Sequence, residues 1–106
     1  MTTFDKRENE FERKFVHDEE LRFKAAARRN KMLGLWAADK LGLSGAGAET
    51  YANEVVRECA TQGEDDVFAK IRRDFQVKAI TVSDHRIRRT MDELMLRAVA
   101  DIKAGR

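Results

Sequence analysis

Residues 21–41 read LRFKAAARRNKMLGLWAADKL, and this stretch decides the fold. It contains no proline and a single glycine, Gly34. Its apolar residues (Leu21, Phe23, Ala25 to Ala27, Met32, Leu33, Leu35, Trp36, Ala37 and Leu41) are dense enough to bury a helix against its neighbours. Proline is absent from all 106 residues, and 38% of the chain is charged. Sandwiches and barrels need many turns, whereas this composition suits charged amphipathic helices, so the expected class is all-α. A chain of this length makes one domain and buries roughly two-thirds of the surface its unfolded form exposes, enough for one small core without disulfides or metal.

Downstream, Gly42-Leu43-Ser44-Gly45-Ala46-Gly47 reads as a breaker that stops the long helix and turns the chain. A second helix is expected over Ala48 to Ala60, with Ala48, Tyr51, Ala52, Val55, Val56 and Cys59 facing inward. Gly63 ends it, and the carboxylates of Glu64-Asp65-Asp66 favour the positive N-terminal end of a third helix. That helix runs from about Asp65 to Val77 and offers Val67, Phe68, Ile71 and Phe75 as a core stripe. Thr81-Val82-Ser83 forms an extended linker with Ser83 as N-cap. Ile87, Met91, Leu94, Met95, Ala98 and Ile102 then recur at helical spacing in a fourth helix. The architecture expected is a four-helix bundle whose long first helix has a flexible N-terminal part.

Upstream, the absence of proline from Asp5 to Leu41 lets helix continue wherever packing favours it. Phe4, Phe11 and Phe15 fall within about 40° of one another on a helical wheel, a narrow aromatic stripe among charged residues. The stripe stops at the polar run His17-Asp18-Glu19-Glu20, and the packed core is expected to start near Leu21. Residues 1–20 carry a net charge of −3, residues 21–31 carry five cations and no acid, and the remainder is balanced. Asp18 with Arg22, and Glu20 with Lys24, are i,i+4 pairs in the favourable order, each stabilising a helix by roughly 0.2–0.5 kcal/mol. Ordering about 13 residues costs ~1–2 kcal/mol per residue, while burying three Phe side chains returns about 1.5–3 kcal/mol each. The stripe therefore either docks on its own bundle or awaits a groove on another protein, and the polar break at His17 to Glu20 favours the second outcome.

Reactive chemistry finds little support. His17 and His85 are the only histidines, too few for a zinc or di-iron site, and no GxSxG elbow accompanies them. The glycine-rich turn at Gly42 to Gly47 lacks the Lys-Ser/Thr ending of a phosphate-binding loop. Cys59 has no partner for a disulfide, which suits a reducing cytoplasm, and reads as a packing residue. His17 reads as a solvated histidine rather than a pH switch. No catalytic residue and no metal is expected. The longest stretch without charge, Leu41 to Ala48, is far short of the ~20 apolar residues that span a bilayer, and the N-terminus is polar where a signal peptide is apolar. A net charge of +2 is too slight to imply an anionic partner. The competing reading is a small basic helical module that binds nucleotide or nucleic acid through Arg28, Arg29, Arg86 and Arg89.

Thr2-Thr3-Phe4-Asp5, Arg7-Glu8, Phe11-Glu12, Lys14-Phe15, His17-Asp18-Glu19-Glu20, Phe23, Ala27-Arg28-Arg29-Asn30-Lys31, Leu33-Gly34-Leu35-Trp36-Ala37-Ala38 and Leu41-Gly42 together closely resemble the zeta subunit family. These are small inhibitors of the rotary F-type ATP synthase of alphaproteobacteria. The likeness is dense over residues 2–42 and thinner beyond, where Glu64-Asp65-Asp66-Val67 and Val82-Ser83 carry it. The resemblance implies an inhibitory N-terminal segment, residues 1–18, and a helical bundle domain, residues 19–106. It implies that the segment inserts between catalytic subunits of the ATPase head, engaging alpha, beta and gamma subunits, and blocks rotation during ATP hydrolysis. Carried onto this chain, Phe4, Phe11 and Phe15 are apolar anchors, Arg7, Arg13 and Lys14 pair with carboxylates of the partner, and Glu8 belongs to the same contact set. The protein so implied is no enzyme, is cytoplasmic and peripheral to the inner membrane through the synthase, and neither binds nucleic acid nor inserts into the membrane. The resemblance also implies contact with adenine nucleotides, for which the sequence shows no pocket; no other cofactor is expected.

Overall fold

The computed structural model describes Arg13 and residues 17–106 of the chain. Among these residues there are four helices, α1 (Glu19–Lys40), α2 (Gly45–Glu58), α3 (Glu64–Val77) and α4 (Asp84–Lys103), and no strand. The protein is all-α. Helix α1 is the spine: α2 packs along one side of it and α4 along another, while α3 leans on α4.

The apolar stripes read from the sequence meet in one core. Leu33 and Ala37 of α1, Val55 of α2, Cys59 at its C-cap, Val67, Ile71 and Phe75 of α3, and Ile87 and Met91 of α4 are all buried there. Trp36 is half-buried and sets its ring edge-on to Phe75, with centroids 5.8 Å apart and planes at 71°, a favourable aromatic geometry. Leu94, Met95 and Ile102 continue the α4 stripe in half-buried positions. Among the described residues the first buried one is Ala25, one turn after the half-buried Leu21.

Helices α1 and α2 approach closely because Gly34 faces Ala52. A Cβ placed on Gly34 would lie 2.6 Å from the Ala52 Cα and 3.1 Å from its Cβ, so glycine is needed here for the space it leaves.

The helix ends follow local chemistry. Ser83 Oγ accepts from Arg86 N–H at 3.0 Å, the N-cap expected for α4. Helix α1 ends with Gly42 in the left-handed region (φ +81°), its N–H on Asp39 O at 3.2 Å and the next N–H, from Leu43, on Ala38 O at 2.9 Å. Helix α3 ends the same way, with Ile80 N–H on Phe75 O at 2.8 Å, but the left-handed residue is Ala79 at φ +57°. Two expectations need correction. Helix α2 starts at Gly45, not Ala48, after an extended Ser44, so Gly45 and Gly47 lie in its first turn and the break narrows to residues 41–44. Helix α1 starts at Glu19, and helical backbone is interrupted at Asp18 rather than running on from upstream.

Candidate functional site

Six of the seven residues assigned to the inhibitory segment (Phe4, Arg7, Glu8, Phe11, Lys14 and Phe15) lie outside the described residues, and the seventh, Arg13, is exposed. The structure does describe the root of that segment. Asp18 has extended backbone (φ −103°, ψ 105°), and its Oδ1 accepts from Leu21 N–H at 3.2 Å. A carboxylate there satisfies one of the free amides of the first turn and, with Glu19 and Glu20, complements the positive end of the helix. The start of α1 is thus set by its own cap. Because the Asp18 side chain turns to that cap, the expected Asp18–Arg22 ion pair is not made, whereas Glu20 and Lys24 do pair at 3.2 Å on the surface.

The basic residues that suggested a nucleic-acid or nucleotide surface do not gather. Arg29 is buried, its Nε donating to Asn30 Oδ1 at 2.8 Å and its Nη1 to Glu64 Oε1 at 3.3 Å, so it ties the start of α3 to α1. Lys31 donates to Glu49 Oε1 and Asn53 Oδ1 on α2 at 2.8 and 2.7 Å. Arg88 pairs with Asp65 at 2.9 Å and lies 4.0 Å over the Phe68 ring, and Arg89 pairs with Glu93 at 3.1 Å. Arg28 stands 3.9 Å from Asp101, near the C-terminal end of α4, whereas Arg86 sits in its first turn. The fifteen residues between Arg86 and Asp101 amount to about 22 Å of helix.

A polar cluster that the sequence reading missed joins α2 to α3. Lys70 is buried, with its Nζ 3.0 Å from Glu58 Oε2, 3.1 Å from Asp74 Oδ2 and 3.6 Å from Glu54 Oε2. Tyr51 donates its hydroxyl to the same Asp74 Oδ2 at 2.7 Å. Burial by itself pulls the Lys70 ammonium down, but hydrogen bonds to Glu58 and Asp74 outweigh it and the net shift is upward. Burial, then the Asp74 carboxylate, push the Tyr51 phenol far above its ordinary value. Both shifts favour the charged lysine and the neutral tyrosine, so the cluster ties α2 to α3 through an ion pair and a hydrogen bond. Burial also raises the Cys59 thiol, which disfavours its thiolate. Beside this cluster, Leu41, Leu43, Val77 and Lys78 frame a cleft of about 210 Å³. The one legible trace of the cluster was Lys70 falling between Val67 and Ile71 on the inward stripe of α3.

A family model described as ATPase inhibitor subunit zeta matches residues 1–101. The chain belongs to the zeta family. No curated protein and no solved structure matches it. The zeta match takes in the N-terminal segment together with all four helices as far as Asp101, so the family is defined by both parts and not by the bundle alone. Among the described residues, no helix is long and apolar enough to cross a membrane.

Proposed function

We propose that this protein inhibits the F-type ATP synthase by inserting its N-terminal segment, residues 1–18, between catalytic subunits of the ATPase head, blocking ATP hydrolysis and rotation. Membership of the ATPase inhibitor subunit zeta family, over a match that includes the whole segment, carries the reading. Two further facts support it. The segment bears a three-phenylalanine stripe at helical spacing, and α1 has its own cap at Asp18, so the bundle does not depend on helix continuing upstream.

The mechanism requires no covalent step. An aromatic-lined helix wedged in an interface that closes and opens during turnover binds one state more tightly than the others and holds the motor there. Phe4, Phe11 and Phe15 supply apolar burial, Arg7, Arg13 and Lys14 meet carboxylates of the partner, and Glu8 lies in the same contact set. The role is regulatory, not enzymatic, and the protein acts where the catalytic head is, peripheral to the membrane. The test is ATP hydrolysis by the cognate ATPase with the full-length protein or a variant lacking residues 1–18. Inhibition should be lost in the variant; equal inhibition by both would discard insertion.

A further inference from the structure

Phe23, in the second turn of α1, leaves 55% of its surface exposed. With Ala27 and Ile102 it lines an open cleft of about 460 Å³ between the first half of α1 and the end of α4. The other lining residues are Lys24, Arg28 and Arg106, so the walls hold three cationic side chains and no acidic one. The nearest acids stand outside the cleft, Glu20 on Lys24 at 3.2 Å and Asp101 at a loose 3.9 Å from Arg28. Ion pairs this exposed are weak, leaving the cations available to a partner.

We infer that this cleft is a second contact with the same ATPase that receives the N-terminal segment, and that it takes from that enzyme an apolar side chain flanked by carboxylates. The inference rests on the insertion reading and follows from reach. From Val16 to Glu19 the chain spans at most about 10 Å, and from Glu19 to Phe23 the helix rises about 6 Å. A partner that grips residues up to 16 therefore brings its own surface within roughly 16 Å of Phe23. Leu43 and Val77, also exposed, line a cleft with Leu41 past the far end of α1, whose helix runs about 26 Å from Phe23 to Lys40. Charge selects the chemistry: an aromatic ring ringed by Lys24, Arg28 and Arg106 repels a basic surface and favours an acidic one with an apolar centre.

The experiment titrates full-length protein against ATP hydrolysis by the cognate F-type ATPase, using the double variant Phe23→Ser, Arg28→Glu. Both side chains are exposed enough for the fold to survive, which unchanged helicity and Tm confirm. The concentration giving half-inhibition should rise at least about tenfold, equivalent to 1.4 kcal/mol. An unchanged value overturns the inference. So does a lower value, which would mean the cleft holds the N-terminal segment in the free protein, and so does a wild-type dimer that the variant converts to monomer in sedimentation. A parallel variant, Phe11→Ser, Phe15→Ser, separates the two claims. If it loses inhibition while the cleft variant does not, the second contact alone is wrong; if it inhibits normally, insertion itself is wrong.

Discussion

Replacing Gly34 by alanine sets two well-calibrated effects against each other. Gly34 lies in the interior of α1, where alanine is favoured over glycine by about 1 kcal/mol on helix propensity alone. Yet the new Cβ would sit 2.6 Å from the Cα of Ala52. Carbon atoms pack at about 3.5–4.0 Å, so α1 and α2 would have to part by about 1 Å. The atom struck belongs to the backbone and has no rotamer to escape into, which places the cost in the upper part of the roughly 1–3 kcal/mol seen for overpacking. The net expectation for Gly34→Ala is a loss of about 1–2 kcal/mol, or about 5–10 °C in Tm for a domain of this size. Urea and thermal unfolding followed by far-UV circular dichroism measure it. Gly47→Ala is the control, because there the nearest atom to the added Cβ is Leu43 Cδ2 at 3.9 Å, an ordinary contact, and the variant should match or exceed wild type. A Gly34→Ala protein as stable as wild type, or more so, would refute the close approach of α1 and α2.

Ala79→Gly should stabilise the protein by about 0.5–1 kcal/mol, because a left-handed Ala79 at φ +57° costs ~1–2 kcal/mol and only part of the relief is lost to the greater freedom of glycine in the unfolded chain; chemical denaturation reads it. Lys70→Met should destabilise by about 1–3 kcal/mol, below the cost of breaking a fully buried pair, since Glu54, Glu58 and Asp74 keep partial access to water. Added salt should restore part of that loss by screening the three carboxylates, and a variant indifferent to salt would contradict the arrangement. Stability should start to fall near pH 9 and fall further above pH 10: Cys59, Tyr51 and Lys70 all bind their protons more tightly folded than unfolded, so the unfolded chain is the first to release them, the thiol near its ordinary value of about 9 and the other two near 10. Tyr51→Phe should make that alkaline decline shallower in unfolding measured across pH.

Much of the bundle was legible because its signals are local. The stripe of Val67, Ile71 and Phe75, the recurrence of Ile87, Met91 and Ala98, and the cap at Ser83 each depend on residues within a few turns of one another, and each appears in the structure where periodicity placed it. The candidate site was legible only as composition. Phe4, Arg7, Glu8, Phe11, Lys14 and Phe15 read as an aromatic, charged segment that lies outside the described residues, and the role proposed for it rests on family membership over residues 1–101. The misreadings share a cause. Asp18 was taken as the partner of Arg22, but the free amide of Leu21 was nearer. Gly45 and Gly47 read as breakers, yet both lie in the first turn of α2, where Gly45 opens the helix at φ +54°, a conformation that glycine adopts without strain.

By itself, then, the order of residues determined that this chain is all-helical, how many helices follow Asp18 and which side of each faces inward, since a 3.6-residue repeat is a property of one segment. Only the tertiary structure decided which charges lie inside. Arg29 looks in sequence like a surface cation, and Lys70 is marked only by its place on the inward stripe of α3; neither shows its partners, the carboxylates from α2 and α3 that reach them across 12 to 35 residues, and a buried cation is tolerated only where such partners arrive. The same holds for the cleft at Phe23: its ring belongs to α1, but its far wall belongs to α4, and no reading along one helix could have joined them.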